Sequence, residues 1–291
     1  MLGSSALAPL GYEVRSAWVL ALFIFFLWME FRRPLRRSTQ SKKKRVFINI
    51  SVAATAALIL RFGFYPIVVK VAETIELKNW GLLPTLGLPA LIEIPLALIA
   101  LDYTLYLWHQ LLHKIPFLWR FHNAHHADLD MDTSTALRFH FGELILSVVY
   151  RSAQILVFGI SVYNLVLFET LVTLFALFHH SNIRLPIRPE RILSWFIITP
   201  RVHGIHHSIV QKETDSNFGT ILTLWDRLHR SLRLDIPQKE ITIGVPSHRD
   251  FSELGIGGTL LVPFKRPRSW ALPNGVVPER KIEENKNILA E

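Results

Sequence analysis

The sequence predicts an all-α integral membrane protein, with about four to five membrane helices or hairpin segments and a cytoplasmic helical domain rich in histidine. Three observations predict this class. Half of the 291 residues are hydrophobic, and the mean hydropathy of +0.29 is high for a soluble globular protein. Several apolar runs approach the length of about 20 residues that a helix needs to cross a bilayer. The thirteen histidines concentrate in short groups beside those runs.

The net charge of +9 and the absence of cysteine narrow the possible functions. In a soluble protein this charge would suggest nucleic-acid binding. Beside long apolar runs it is better explained by basic cytoplasmic loops, which orient the chain and attract anionic lipids. We therefore expect no nucleic-acid partner. Without cysteine, disulfides, thiolate zinc sites and iron–sulfur clusters are excluded, so any metal must be bound by histidine, carboxylate or backbone.

The first apolar run, Ser16–Phe31, is expected to be a retained membrane anchor. The sequence before it lacks the charged segment and the evident cleavage site of a signal peptide. The stretch Arg32–Arg45 follows, with eight Lys/Arg and no acidic residue. A solvated linker would explain it without a specific role. In a membrane protein, such a stretch also marks the cytoplasmic side, so we expect this loop to lie in the cytoplasm.

Four further apolar runs are expected to bring every histidine-rich segment to a cytoplasmic end of a membrane segment. The last two are separated only at the GIS stretch around Ser161 and suggest a helical hairpin that enters the bilayer and returns. No membrane run follows Ser181, and Arg280–Glu291 is expected to be a mobile soluble tail. The four runs are Val46–Val71, Leu88–Trp108, Glu143–Ile160 and Val162–Phe178.

This pattern predicts three regions along the chain. Residues 1–99 are expected to contain N-terminal membrane helices and the basic cytoplasmic loop. Residues 100–235 are expected to form the histidine-rich domain, and residues 236–291 a C-terminal cytoplasmic tail. Within the second region, the polar stretch 127–136 is interpreted as an exposed connection that returns the chain to the membrane.

Three histidine groups have the spacing of a metal-chelating helix face. Residues three or four apart lie on the same side of a helix, so each group presents its imidazoles together. Unliganded imidazoles in such groups would be costly to bury and mutually repulsive when protonated. The groups are HQLLH (His109, His113), HNAHH (His122, His125, His126) and HGIHH (His203, His206, His207).

Other residues near these groups are further candidates. His140, His179 and His180 lie at ends of apolar runs and are candidate ligands. Asp102 precedes His109 by seven residues and is expected to share its helix face, where its carboxylate would accept the second ring N–H of a ligand.

Two acidic residues follow the last histidine group. Asp215 and Asp226 are candidates for orienting a ligand. His229 and His248 lie outside the groups and receive no role.

Eight or more nitrogen donors exceed the coordination number of one metal, so the pattern predicts two metal ions. Imidazole suits iron, zinc and copper, and the lack of Cys and Met patterns argues against copper(I). A dinuclear zinc hydrolase is one alternative, although such sites usually contain bridging carboxylates. A second alternative is a non-enzymatic metal-binding or transport protein. Transporters hold ligands near the bilayer midplane, whereas these histidines lie at helix ends.

The order HxxxH, HxxHH, HxxHH between apolar runs resembles the fatty acid hydroxylase / sterol desaturase superfamily. The resemblance covers Ala100 to Ser231. The flanking segments TALRFHFGE, FHHSN and TDSNFGTILTLWDRLHRS look like the bacterial sterol-desaturase-like branch and like the core of alkylglycerol monooxygenases. The resemblance implies a multi-pass protein of the bacterial inner membrane with its metal site on the cytoplasmic side.

The resemblance also implies the ligand set. The eight histidines of the three groups match iron ligands of the family, and His180 matches an additional ligand. His140 lies in an Arg-x-His-x-x-Glu element, where Phe141 replaces a proline that often follows the histidine. Whether His140 or His179 completes the site stays open at this point.

The activity implied is that of a non-haem di-iron oxygenase that hydroxylates or desaturates a lipid. Two iron ions (Fe2+/Fe3+), O2 as cosubstrate and electrons from an external NAD(P)H-dependent donor are implied. The chain lacks a dinucleotide fingerprint, since GIGG at Gly255 is too short. A separate reductase, ferredoxin or b-type cytochrome is therefore expected. Sterol, fatty acyl, alkylglycerol, sphingoid and carotenoid lipids all remain open as substrates.

Overall fold

In a computed structural model, which describes residues 8–280, the chain is helical and contains no strand among those residues. The prediction of an all-α protein is confirmed. The first eight helices are α1 (Ala8–Arg32), α2 (Lys42–Gly63), α3 (Tyr65–Lys78), α4 (Leu82–Thr85), α5 (Ala90–Lys114), α6 (Pro116–His126), α7 (Phe141–Phe158) and α8 (Val162–His180). Helix α4 is a single turn. Short helices follow: α9 (Ile187–Leu193), α10 (Pro200–His206), α11 (Gln211–Thr214), α12 (Leu224–Leu228) and α13 (Ile256–Leu261).

Four described helices are long and apolar enough to cross a membrane, namely α2, α5, α7 and α8. This number agrees with the prediction of about four to five membrane segments. Helix α1 also exposes apolar side chains, among them Trp18, Trp28 and Phe31. The expectations for the first seven residues and for the tail beyond Arg280 lie outside the described residues.

The second apolar run forms two helices instead of one. Helix α2 ends at Gly63 and α3 begins at Tyr65, with Pro66 in its first turn. Proline lacks the N–H that would continue the hydrogen-bond ladder of α2, so the helix is interrupted there. Helix α3 packs against α2 and α7.

The last two apolar runs form the expected hairpin, α7 and α8. Gly159 ends α7 in the left-handed conformation (φ 72°), which glycine adopts without steric cost. The Ser161 hydroxyl then accepts the backbone N–H of Asn164 at 3.2 Å and caps α8.

A hydrophobic core joins α3, α5, α7 and α8. Its fully buried members include Ala72, Ala97, Leu101, Ile155 and Phe168. This core sets α5, α7 and α8 side by side, so His109, the first turn of α7 and His180 come together at one end of the bundle.

The connection 127–136 is buried, so its interpretation as an exposed segment is wrong. Arg45 explains the burial, because its guanidinium donates to both carboxylate oxygens of Asp128 at 2.7 Å and to Asp132 at 2.7 Å. Asp130 accepts the backbone N–H groups of Thr39 and Gln40 at 2.9 and 2.8 Å. The acidic segment and the basic loop thus satisfy each other's charges, and both are fixed against the histidine-rich end of the bundle.

The described part of the C-terminal segment, residues 236–280, packs against the histidine-rich elements. The backbone of Ile243 pairs with that of Ser208. The Trp270 ring lies 5.7 Å from that of Trp119, and the Arg280 guanidinium pairs with Glu213 at 2.5 Å.

Candidate metal centre

The three histidine groups meet at one end of the helix bundle. The last turns of α5 carry the first group, α6 carries the second, and α10 with the residue after it carries the third. His180, at the last position of α8, completes the assembly. His109 and His113 are partly buried, and the histidines of the other groups and of α8 are at most 2% exposed.

The ring nitrogens sort into two clusters that each have the geometry of a metal site. Within each cluster the potential ligand atoms lie within 4.8 Å of one another. Cluster A contains five histidines and cluster B four. Cluster A is His109, His113, His122, His126 and His206; cluster B is His125, His180, His203 and His207.

The two HxxHH groups divide between the clusters in opposite senses. His122 and His126 join cluster A, while His125 between them joins cluster B. In α10 the assignment is reversed, since His203 and its partner four residues on join cluster B while His206 joins cluster A. The i and i+4 rings of each group therefore serve one site, and the i+3 ring serves the other. The expectation that each group forms a single chelating wall is refined accordingly.

Distances between ring nitrogens match those between ligands of one metal. The Nε2 atom of His122 lies 3.2 Å from the Nε2 atoms of both His109 and His126. In cluster B, Nε2 of His180 lies 3.0 Å from the Nε2 atoms of His125 and His203. Two nitrogens that each lie about 2.1 Å from one metal at right angles are about 3 Å apart.

Hydrogen bonds to the other ring nitrogen fix the tautomers. Nδ1–H of His109 donates to the Phe218 carbonyl at 2.7 Å, and Nδ1–H of His206 donates to the Ser216 carbonyl at 2.7 Å. His180 donates in the same way to the Ala176 carbonyl at 2.9 Å. A neutral imidazole with its proton on Nδ1 has a lone pair on Nε2. The Nε2 atoms of these rings are therefore ready to bind a cation.

A carboxylate completes this pattern for His122. Nδ1 of His122 lies 3.0 Å from Oε1 of Glu143, in the first turn of α7, and both side chains are buried. Carboxylates in this position orient a ligating imidazole and make it more basic. Sequence reasoning placed Glu143 only beside His140 and missed this contact, because no local spacing relates residues on α6 and α7.

The donor chemistry fits a metal. His109 and His122 both have Nδ1 hydrogen-bonded to an oxygen, so their facing Nε2 atoms carry lone pairs and no proton lies between them. Two lone pairs that face each other repel, and a cation bound between them removes this repulsion. Nε2 of His206 and both ring nitrogens of His113 are buried and have no hydrogen-bond partner in the protein. Buried polar atoms rarely remain unpaired, so these atoms point to a bound ion.

The protonation states agree with this interpretation. Burial and the neighbouring imidazoles lower the pKa values of His125, His126, His203 and His207 well below the usual value. Burial lowers the pKa of His206 to about 3. These rings are therefore neutral at physiological pH, which is the form that binds metals.

Asp102 and Asp226, both predicted to support the ligands, contact the segment 218–225, which follows the third histidine group. Neither of them contacts a histidine of the clusters. Asp226 accepts the backbone N–H groups of Phe218 and Gly219 at 2.9 and 2.8 Å. Because the Phe218 carbonyl accepts from His109, Asp226 acts on that ring through the backbone. Asp102 accepts the indole N–H of Trp225 at 2.7 Å and the Leu222 N–H at 3.3 Å.

Asp215, the other acidic candidate, lies close to cluster A. Its Oδ1 is 3.5 Å from Nδ1 of His113. This separation is longer than an ordinary hydrogen bond, and the contact is an ion pair only when the imidazole is protonated.

His140 and His179 lie outside both clusters. Nδ1 of His140 accepts the Gly142 N–H at 2.9 Å and caps α7, and its Nε2–H donates to the Leu260 carbonyl at 3.1 Å. Both nitrogens are thus occupied by backbone. His179 is buried with both nitrogens unpartnered, and its ring centroid lies 4.0 Å from that of His203.

The two histidines without an assigned role are also apart from the clusters. His229 stacks on Tyr103 and Tyr106, with centroids 5.8 and 5.1 Å away. His248 is buried and lies 3.3 Å from the Asn123 amide nitrogen.

An apolar cavity of about 350 Å³ leads from between α5, α7 and α8 to both clusters. Histidines of both clusters form its inner end, among them His109, His122 and His180. Its walls are largely aliphatic, and include Leu105, Leu112, Val148, Leu165 and Val172.

The chain is similar to several known lipid hydroxylases and monooxygenases. The family model described as fatty acid hydroxylase matches residues 94–231. The chain is 29% identical to the ornithine lipid hydroxylase of Rhizobium tropici over 48% of this chain and 41% of that protein. It is 27% identical to the alkylglycerol monooxygenase of Xenopus tropicalis over 52% of this chain and 34% of that protein. It is 24% identical to the cholesterol 25-hydroxylase of Rattus norvegicus over 62% of each chain.

These findings confirm the resemblance inferred from the histidine spacing. The chain spans less than half of the length of the first two of these relatives. No solved structure matches the chain.

Proposed function

We propose that this protein is a membrane-bound di-iron oxygenase that hydroxylates a lipid, or desaturates it, because residues 94–231 match the fatty acid hydroxylase family model. The observation that carries the proposal is the arrangement of two histidine clusters at the inner end of an apolar cavity. A lipid chain in that cavity has its carbon atoms next to both clusters. Since the relatives named above are hydroxylases and monooxygenases, hydroxylation is the favoured reaction.

Nine histidines would hold the two iron ions. Cluster A would supply five nitrogens and cluster B four. We leave His140 out of the ligand set, because both its nitrogens are hydrogen-bonded to backbone. His179 stays a candidate ligand for cluster B, since its nitrogens are unpartnered beside His203.

The iron ions would supply the activation of O2 and the cleavage of a lipid C–H bond, chemistry that no side chain can perform. The protein positions the imidazoles and the lipid chain, and it excludes water. Glu143 and the backbone carbonyls hold the imidazoles in one orientation, so little reorganisation is needed during reaction. The aliphatic walls of the cavity hold the lipid chain in register and keep water from the reacting carbon.

Supporting roles follow for the two aspartates. We propose that Asp226 keeps the Phe218 carbonyl under Nδ1 of His109, because it binds the two backbone N–H groups at that turn. Asp102 would anchor the same segment from α5 through Trp225.

The substrate would be a lipid of the sterol, fatty acyl or alkylglycerol type. The relatives act, by their names, on ornithine lipid, alkylglycerol and cholesterol. Their common feature is a long apolar body, and the apolar cavity of about 350 Å³ accepts such a body. Electrons would come from a separate NAD(P)H-dependent donor such as a reductase, ferredoxin or b-type cytochrome.

The proposed location is a bacterial inner membrane, with the metal site on the cytoplasmic side. Two observations support it: the basic stretch 32–45 packs against the histidine-rich end, and a bacterial relative is among the matches. In this arrangement residues 1–99 would form the N-terminal membrane part and residues 100–235 the di-iron domain. Residues 236–291 would form a cytoplasmic segment.

Two measurements test the proposal. Cells that express the chain, supplied with isotopically labelled O2, should contain lipids that carry the label, and cells with the His206→Ala variant should not. Metal analysis of anaerobically purified protein should find iron. Bound zinc together with full activity in the absence of oxygen would establish the hydrolase alternative. Metal uptake into vesicles that depends on His109 and His122, without lipid oxidation, would establish transport.

A further inference from the structure

A second cavity, of about 1340 Å³, lies on the opposite face of α10 from the histidine clusters. Its floor includes Val202 and Ile205, which alternate along α10 with the ligating His203 and His206. The segments 32–37, 184–191 and 236–241 form its walls. We call this cavity the basic cleft.

Cationic side chains dominate the basic cleft. Among its described lining residues Glu190 is the one acid, and its Oε2 pairs with Nε of Arg201 at 2.7 Å. The remaining charge is positive and is unlike the apolar lining of the cavity that reaches the histidines. The cationic lining residues are Arg32, Arg33, Arg36, Arg37, Arg184, Arg191, Arg201 and Lys239.

Arg36 offers an unused pair of donors in this cleft. Its Nη1 donates to Gln238 Oε1 and, at 3.4 Å, to the Pro200 carbonyl. Its Nε and Nη2 are buried and have no hydrogen-bond partner. These two N–H groups point the same way and form the side-on fork with which arginine binds two oxygens of a carboxylate or phosphate.

The Arg36 guanidinium is held in place by α10. It lies directly against Gly204, where any Cβ would collide with it. Burial, with the nearby charge of Arg201, lowers its pKa to about 10, so the side chain is still cationic at neutral pH. A buried cationic fork without an acceptor is unfavourable, so the position favours an anion with two oxygens.

The basic cleft lies next to surfaces suited to the membrane interface. Trp28 and Phe31, near the end of α1, are 53% and 83% exposed, and Arg32 lies over the Trp28 ring at 5.7 Å. Trp195 and Phe196, just after α9, are 65% and 66% exposed. Exposed aromatic side chains of this kind collect where acyl chains meet headgroups, and basic clusters directly beyond a membrane helix bind anionic headgroups.

We propose that the basic cleft binds the phosphate headgroup of an anionic membrane lipid, with the Arg36 fork on two phosphate oxygens. The site is separate from the histidine clusters and does not depend on the proposed oxygenase activity. The bound phosphate supplies the acceptors that Nε and Nη2 lack. It also neutralises part of the positive charge between the end of α1 and α10.

Thermal unfolding of the full chain in neutral detergent tests the proposal. The three probes are dihexanoyl phosphatidylglycerol, dihexanoyl phosphatidylcholine and inorganic phosphate. Phosphatidylglycerol should raise the unfolding temperature with a saturable dose response, and phosphatidylcholine should not. Inorganic phosphate should act at a concentration roughly tenfold higher or more, since it lacks the apolar contacts of a lipid.

The Arg36→Lys variant keeps the charge but removes the fork, so its half-saturating phosphatidylglycerol concentration should rise by roughly tenfold. Arg188→Lys, in an exposed residue of α9 that does not line the basic cleft, is the matched control and should bind as the wild type does. Equal binding by Arg36→Lys would overturn the role of the fork, and equal effects of the two lipids would overturn phosphate recognition. If inorganic phosphate is as potent as phosphatidylglycerol, the lipid assignment is wrong. The wild-type comparison of the three probes holds even if a variant does not fold.

Discussion

Oε1 of Glu143 lies 3.0 Å from Nδ1 of His122, so a carboxylate on α7 orients a ring of cluster A on α6. The two residues are 21 positions apart in the chain, and the helices that carry them begin on either side of the buried acidic connection. Both side chains are at most 4% exposed. The contact therefore links the membrane hairpin directly to the geometry of cluster A.

The Glu143→Gln variant should lose metal affinity and activity by about 10- to 100-fold, the range found when such a partner is removed. The amide keeps the size of the side chain but not its charge. Metal content by mass spectrometry and lipid turnover would be measured together. Glu73→Gln, in a half-exposed surface pair with Lys70, is the control and should behave as the wild type does. Unchanged metal affinity in Glu143→Gln would refute the role of this contact.

Single ligand substitutions should abolish activity and lower metal content in both clusters. His206→Ala removes a ligand of cluster A and His125→Ala one of cluster B. His248→Ala, a buried histidine outside both clusters, should do neither. If His206→Ala retained full activity, the assignment of cluster A would be wrong. A variant that loses activity while keeping both metal ions would argue against a ligand role for the residue changed.

Removal of the buried Arg45 side chain should destabilise the protein by about 3–5 kcal/mol, because Asp128 and Asp132 would be left buried and unpaired. The measurement is thermal unfolding of Arg45→Met in detergent. Lys44→Met, at the exposed neighbouring position, should change stability by no more than about 0.5 kcal/mol. Equal unfolding temperatures for the two variants would contradict a structural role for the acidic connection.

The stability that the Arg45–Asp128 ion pair gives to the fold should depend on pH. Burial alone would raise the pKa of Asp128, but the charge and hydrogen bonds of Arg45 outweigh it and lower the pKa to about 2. A carboxyl with a lowered pKa in the folded state stabilises the fold fully above its unfolded pKa of about 4. The wild type should be more stable to unfolding than Arg45→Met, and this stability advantage should shrink as the pH falls from about 4 towards 2. An advantage that is constant over this range would contradict the assignment.

A larger side chain in the apolar cavity should slow lipid turnover without loss of metal. Val148 lines the cavity, whereas Val149 is 65% exposed on the outer side of α7. Val148→Phe should reduce turnover by roughly 100-fold, since misplacement of the reacting carbon by about 1 Å costs about that much. Val149→Phe is the matched control and should be active. Equal turnover by the two variants would show that substrate does not use this cavity.

The spacing of the histidines was sufficient to predict that their rings gather in groups, because i, i+3 and i+4 residues share a helix face whatever surrounds the helix. The resemblance to the fatty acid hydroxylase family followed from the same spacing. The apolar runs likewise predicted the α7–α8 hairpin from length and composition alone. The break of the second run at Gly63 was missed, although Pro66 is a local signal for it. The burial of residues 127–136 could not be predicted, because acidic residues in a connection are ordinarily solvated and only the distant Arg45 satisfies them.

By itself, the sequence determined which histidines are candidate metal donors, since residue type and helical periodicity place them in groups. Only the tertiary structure decided how the donors divide. His125 and His206 join the cluster opposite to that of their sequence neighbours, because each i+3 ring lies beside the i+4 ring of the other group: the His206 ring is 4.7 Å from that of His126, and the His125 ring is 4.8 Å from that of His207. The tertiary structure also decided that Glu143 and the Phe218 carbonyl orient rings of cluster A. These contacts join residues far apart in the chain, and local periodicity carries no information about them.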